Sequence, residues 1–226
     1  MLNGEVLYKR AGKEWAMKKY VIWDWNGTLL DDVNAAVAAL NRMLVKRGLN
    51  PTTKEYYRNH FGFPVRPFYA ELGVDLDKCD WDEICEDFHN FINEEKDQHL
   101  RGDAVEALET LKSKGIGQSI LSALRQDLLL RDTAREGVSG YFEHIFGVDN
   151  LDGATKLSRA KDLMEALSLP EESQVYFIGD TLHDAEVALS IGATPILIDC
   201  GHQNKSRLVG QDYKVANGLI DAVNSI

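Results

Sequence analysis

The run Asp24-Trp25-Asn26-Gly27-Thr28-Leu29 follows directly on the apolar stretch Tyr20–Trp23, and Gly179-Asp180-Thr181-Leu182-His183-Asp184 follows another, Val175–Ile178. If both stretches are parallel strands, Asp24, Asp180 and Asp184 meet at the carboxyl edge of one sheet, where open α/β sheets bind their ligands. Carboxylates gathered in this way suit a hard divalent cation, which can locally overrule a negative chain and admit a phosphorylated ligand. Gly27 lets the backbone turn sharply beside Asp24, and Thr28 offers a hydroxyl to fix that turn. A plainer role competes at the second cluster: Asp180 or Thr181 caps the following helix, and Asp184 sits in its first turn, where the dipole favours a carboxylate. Ser122, directly after the run Ile116–Leu121, and Lys156, at the start of a helical stretch, fall at the same edge. Their plain readings are a helix cap and an ordinary exposed lysine.

These positions depend on the elements around them. Apolar, β-branched runs at Tyr20–Trp23, Ile116–Leu121, His144–Val148, Val175–Ile178 and Thr194–Ile198 alternate with helical patterns, which predicts a Rossmann-like α/β core built on a parallel sheet. The gap between the first two strands is far longer than one crossover needs. It carries helical spacing at Asp32–Lys46, Lys54–His60, Val65–Glu71 and Trp81–Glu95, so residues 33–101 are expected to form an inserted all-helical cap. The core is expected to comprise 17–32 and 102–226, with helices at Asp103–Lys114, ended by Gly115, and at Lys156–Leu167. Trp81, Phe88 and Phe91 recur at helical spacing and are expected in the core of the cap. In His60-Phe61-Gly62-Phe63-Pro64-Val65-Arg66, Gly62 and Pro64 set a turn beside Arg66, whose fork could clamp a substrate carboxylate or second phosphate; a solvated arginine is the competing reading. Met17-Lys18-Lys19-Tyr20 has the look of a natural start, which leaves 1–16 as an arm without an assigned role.

Taken in order, Asp24-Trp25-Asn26-Gly27-Thr28, Ser122, Lys156 and Gly179-Asp180-Thr181-Leu182-His183-Asp184 resemble the four motifs of the haloacid dehalogenase superfamily, over Tyr20 to about Gly201. The overall pattern is most similar to the phosphoglycolate-phosphatase-like branch, with its cap inserted between the first and second motifs. The resemblance implies a phosphatase acting on a small phosphorylated metabolite such as phosphoglycolate or a sugar phosphate. Asp24 would be the nucleophile that forms an aspartyl-phosphate. Ser122, Ala123 and Lys156 would hold the phosphoryl group with Thr28 nearby. Asp24, Asp180 and the backbone carbonyl of Asn26 would bind magnesium (Mg2+), and Asp184 would ligate through water or orient its neighbours. One position departs from the pattern, because Asn26 stands where the phosphatases carry a second, proton-transferring aspartate. An amide exchanges no proton at neutral pH, which implies slow turnover of poor leaving groups unless His183 or His60 substitutes.

Other readings stay open at this stage. A 2-haloacid dehalogenase shares the nucleophile and cap and uses no metal, but leaves Asp180 and Asp184 repelling Asp24 without a cation. A phosphonatase needs a cap lysine as Schiff base, for which only Lys46 and Lys54 come near. A phospholigand-binding pseudo-enzyme has no need of a carboxylate aimed at phosphorus.

With a net charge of −11 the chain lacks the clustered cations a nucleic-acid partner requires, and no apolar run reaches the length of a membrane span. No secretory signal is recognisable, so a cytoplasmic monomer or homodimer is expected. Cys79, Cys85 and Cys200 form no CxxC pair and read as reduced thiols.

Overall fold

The computed structural model describes residues 7–10, 13–16, 19–149, 156–210 and 212–226, the first two segments by backbone alone. Met17, the expected start, lies outside the described residues. Within the arm that precedes it, β1 (Leu7–Arg10) and β2 (Lys13–Ala16) pair as an antiparallel ribbon.

The core begins with β3 (Lys19–Trp23), whose residues Tyr20 to Trp23 are all buried. After the first motif the chain leaves the core through β4 (Leu30–Asp31). Four helices follow: α1 (Val33–Lys46), α2 (Lys54–His60), α3 (Arg66–Glu71) and α4 (Trp81–Glu94). The chain returns through β5 (His99–Leu100), which pairs antiparallel with β4, so both ends of the excursion share one stem. These helices enclose an apolar cluster of their own, with Leu40, Met43, Tyr57, Phe68 and Ile84 at its centre and Trp81, Phe88 and Phe91 packed against it.

The remaining elements are α5 (Ala104–Ser113), β6 (Gly117–Arg125), α6 (Gln126–Arg135), β7 (Ile145–Val148), α7 (Lys156–Leu167), β8 (Gln174–Gly179), α8 (Leu182–Ser190), β9 (Thr194–Ile198), α9 (Lys205–Leu208), β10 (Lys214–Ala216) and α10 (Leu219–Val223). Six strands form one sheet in the order β10-β9-β8-β3-β6-β7, with every pairing parallel. Alternation along β3 divides its side chains between two layers. Val21 and Trp23 face α5 and α10, while Tyr20 and Ile22 face α7 and α8. All five expected strands are present in this α/β core, and β10 adds a sixth that the sequence pattern did not indicate. Ser122 lies within β6 rather than after it, where the pairing with β7 shifts register between Leu121 and Arg125. Among the described residues no helix is long and apolar enough to cross a membrane, and Cys79, Cys85 and Cys200 form no disulfide.

Candidate active site

Because β3 and β8 are adjacent and parallel, their motifs emerge side by side; the Asp24 amide donates to the Ile178 carbonyl at 2.8 Å. The chain then turns at once, with the Thr28 and Leu30 amides both donating to the Trp25 carbonyl. Gly27 takes a φ of +77°, and a Cβ there would lie 2.5 Å from the Asp180 carboxylate and collide with His202. No other residue fits that turn. Arg101 holds it from behind, donating to the carbonyls of Gly27 (2.7 Å) and Thr28 (3.0 Å). Thr28 is fully buried and its hydroxyl donates to Asp180 Oδ1 at 3.1 Å. It therefore orients Asp180 and does not reach the cavity, which corrects its expected contact with substrate.

Thr181 caps α8, and Asp184 completes a capping box with it. The plain reading of this motif is thus correct, but it accounts for only one oxygen. Asp184 Oδ2 accepts from the Thr181 amide (2.9 Å) and hydroxyl (2.7 Å), leaving Oδ1 for Lys156 Nζ at 2.6 Å. Lys156, at the start of α7, is buried and donates also to Asp24 Oδ1 at 2.5 Å. Carboxylate oxygens of Asp24, Asp180 and Asp184 all lie within 4.8 Å of one another. Among the described residues Lys156 is the one lysine lining the site and the charge of His202 is shared with Asp32, so the three buried carboxylates are an under-neutralised donor set. A hard divalent cation fits it.

The protonation equilibria express that deficit. Burial, joined by repulsion from Asp184 and Asp180, pushes the Asp24 carboxyl up to about 7 against the pull of Lys156. Burial and the Asp184 charge likewise raise Asp180 to about 6, against the attraction of His202. Asp184 goes the other way: against its burial, the charge and hydrogen bond of Lys156 and the bond from Thr181 hold it below the usual carboxylate range. Burial opposes charging His202, but Asp32 beside it carries the imidazole up to about 9.

A definite pH dependence follows for the metal-free protein. Asp24 and Asp180 keep protons when folded that the unfolded chain releases near 3.8, so their contribution to stability is lost as pH rises through about 6 and 7. That of His202 is full below its unfolded value of 6.5 and is lost as pH rises through about 9. In EDTA, Tm is therefore expected to fall steadily from mildly acidic to alkaline pH. Added magnesium should raise Tm far more at about pH 8 than at about pH 5, since a cation competes with protons for these carboxylates. Thermal scans across that range check it; an equal magnesium effect at both ends would exclude the cluster as the binding site.

Above the carboxylates lies a cavity of about 160 Å³ between the helical excursion and the sheet edge. Asp24, Asn26, Ser122, Ala123, Lys156, Asp180 and Asp184 all line it, so every residue expected there from the motifs is brought together except Thr28. Arg66 stays outside: it is exposed, with its guanidinium 4.5 Å from the centre of the Trp81 ring, because the start of α3 turns it away while Phe61, Phe63 and Val65 of the same loop reach the cavity. Phe88, expected in the cap core, also lines the cavity. His60 pairs with Glu71 and stacks on Tyr56, and His183 pairs with Glu186; neither lines the cavity. Nor do Lys46, bound to Asp87, and Lys54, bound to Asn34.

The sequence pattern missed three residues here. Asp32, fully buried at the N-cap of α1, accepts from the Asn26 side-chain amide (2.7 Å) and the Gly27 amide (2.8 Å). His202 lies 3.3 Å from Asp32 through Nε2, and its backbone amide donates to Asp180 at 2.5 Å. Protonated, its Nδ1 donates to the Tyr57 hydroxyl at 3.0 Å. Tyr57 belongs to α2, so this chain of contacts ties the excursion to the first motif. The Arg58 guanidinium reinforces it through the carbonyls of Gly201 and Asp199, both at 2.8 Å. The signal available for His202 was its place just after β9, at the same carboxyl edge.

Residues 21–198 match the family of haloacid dehalogenase-like hydrolases, and the chain belongs to that family. Among curated proteins it is similar to the phosphoglycolate phosphatase of Rhodobacter capsulatus, at 24% identity over 83% of this chain and 87% of that one. The phosphoglycolate phosphatase of Aquifex aeolicus is 26% identical over 81% of this chain and 86% of its own length. Among solved structures, a predicted phosphatase from Clostridium acetobutylicum superposes with a TM-score of 0.77 at 19% identity, covering 93% of this chain and 98% of the other. That last likeness speaks to the fold.

Proposed function

We infer that the chain is a magnesium-dependent phosphatase that hydrolyses a small phosphomonoester through an aspartyl-phosphate on Asp24. The observation that carries this reading is the meeting of Asp24, Asp180 and Asp184 around Lys156 at the floor of one cavity. The phosphatases among its relatives support it. In this reading residues 33–101 are a cap over a core of 17–32 and 102–226.

Asp24 attacks phosphorus while the bond to the leaving oxygen breaks, and water then attacks the phosphorus of the aspartyl-phosphate and frees Asp24. Ser122, whose oxygen also accepts from the Leu124 amide at 3.1 Å, Ala123 and Lys156 hold the phosphoryl group. Lys156 stays charged because Asp184 and Asp24, against its burial, raise its affinity for the proton, and so it offsets repulsion between a dianionic ester and the acids. Asp24, Asp180 and the Asn26 carbonyl would bind magnesium, with Asp184 supporting them. When bound, the cation supplies charge neutralisation that lets phosphate approach a carboxylate nucleophile. A metal-independent dehalogenase would leave Asp24, Asp180 and Asp184, with Asp32 beside them, to share Lys156 and His202 among the described residues, and a phosphonatase would find neither Lys46 nor Lys54 lining the cavity.

The direct test is hydrolysis of p-nitrophenyl phosphate, whose nitrophenolate leaves without a proton and so bypasses Asn26. Turnover with magnesium that EDTA abolishes is the expected result, together with a phosphorylated form in intact mass spectra after rapid acid quench. Turnover unaffected by EDTA would remove the metal from the reading, and no turnover at all would remove the phosphatase.

A further inference from the structure

The phosphoryl end of the cavity is charged, but the part that must receive the leaving group is not. Its walls are Leu40 from α1, Phe88 and Ile92 from α4, Phe61 and Phe63 from the α2–α3 loop, and Leu128 from α6. Each charged group nearby has a partner. Lys156 is held at the floor by Asp24 and Asp184. Arg131 donates to Asp132 (3.0 Å) and Asn93 (3.2 Å), and Asp132, which also lines the cavity, is shared with Arg135 at 3.1 Å. His202 is paired with Asp32, and the ring of His89 packs edge-on against Phe88. The Gln98 amide donates to the carbonyls of Ile92 and Glu95 at the end of α4. Among the described residues, then, the lining cations Lys156, Arg131 and His202 are each already paired with a carboxylate, so a second anionic group on the substrate would have to compete with Asp24, Asp132 or Asp32 for its counter-charge. A carboxylate buried against this wall would lose its water without gaining a counter-charge of its own. The whole cavity, phosphoryl end included, measures about 160 Å³, which limits the leaving group to a small body.

Building on the phosphatase reading above, we propose that the substrate is a phosphomonoester whose leaving group is uncharged, with an apolar or aromatic body seated between Phe88, Ile92, Phe61 and Leu128. Phosphoglycolate, which carries a carboxylate on its leaving group, is the discriminating comparison.

The test compares kcat/KM of the magnesium-loaded protein for benzyl phosphate and phosphoglycolate, both esters of primary alcohols, with p-nitrophenyl phosphate as the control for chemistry. Benzyl phosphate is expected to exceed phosphoglycolate by at least about tenfold. Leu128→Arg, which adds a cation to the apolar wall, should narrow or reverse that ratio, mainly by lowering KM for phosphoglycolate. Equal or better use of phosphoglycolate by the unmodified protein, with p-nitrophenyl phosphate turned over normally, overturns the inference and leaves the phosphatase standing. Turnover of none of the three esters removes both.

Discussion

Asp24→Asn is expected to abolish hydrolysis of p-nitrophenyl phosphate, a loss of at least about 10⁴-fold, while leaving a protein that is more heat-stable in EDTA than the parent. The two effects have one cause in the geometry. Asp24 is the carboxylate at the end of β3, buried and lining the cavity beside Ser122 and Lys156, and an amide cannot act as its nucleophile. The same carboxylate is strained electrostatically, since burial and the charges of Asp184 and Asp180 push it up to about 7. Asparagine has nearly the same shape, can still accept from Lys156 through its side-chain oxygen, and carries no charge to repel its neighbours. Above about pH 7, where Asp24 would otherwise ionise, Tm of the metal-free variant should therefore rise. Stabilisation together with inactivity would separate removal of the nucleophile from damage to the fold. A variant that keeps more than a few per cent of the activity would move the nucleophile elsewhere.

The inactive variant is also the form in which to compare ligands without turnover, and there the legibility of the site in the sequence becomes concrete. Asp24, Ser122, Lys156, Asp180 and Asp184 were readable because each follows or adjoins a strand buried on both faces, and such strands are nearly continuous apolar runs. Once β3, β6 and β8 are parallel neighbours, their carboxyl ends must converge. Helix α6 was unreadable for the opposite reason. Its inner face buries Leu129 beside Asp132 and Thr133, and Asp132 is held there by Arg131 and Arg135, so the apolar period is broken by a charge neutralised within the helix. Strand β10 has only three residues, too few to show a period. For Arg66, which follows Gly62 and Pro64, the sequence allows either a substrate clamp or a solvated arginine, because adjacency along the chain does not fix direction. The first turn of α3 points it at Trp81 while residues three and five positions earlier reach the cavity. Asp32 and His202 carry no local signal of partnership, since 170 residues separate them and only the folded loop after β9 brings them to 3.3 Å.

Asp32 changes what should be expected of Asn26. Restoring a carboxylate by Asn26→Asp does not simply install a free acid, because the Asn26 amide lies 2.7 Å from Asp32 Oδ2 and donates to it. Two carboxylates at that separation cannot both ionise, and the pair retains one proton to a pH well above the ordinary carboxylate range. The nearby charge of His202, 3.3 Å from the other Asp32 oxygen, favours ionisation of Asp32 and leaves the shared proton with residue 26. The variant thus gains a protonated carboxyl lining the cavity, suited to protonate a leaving alkoxide and then to accept a proton from water. Turnover of benzyl phosphate is expected to rise by about 10²-fold, while that of p-nitrophenyl phosphate, whose leaving group needs no proton, changes little. The sign of the pH dependence is fixed as well: the gain is present while residue 26 holds the proton and disappears as pH rises through the raised pKa of the pair. Rates for the two esters across pH 5 to 9 measure both the selectivity and the falling limb. An equal increase for both esters would mean that the substitution acts on metal binding or on Asp24, not on proton transfer. No increase for benzyl phosphate would mean that the proton already reaches the leaving oxygen by a route that does not need residue 26.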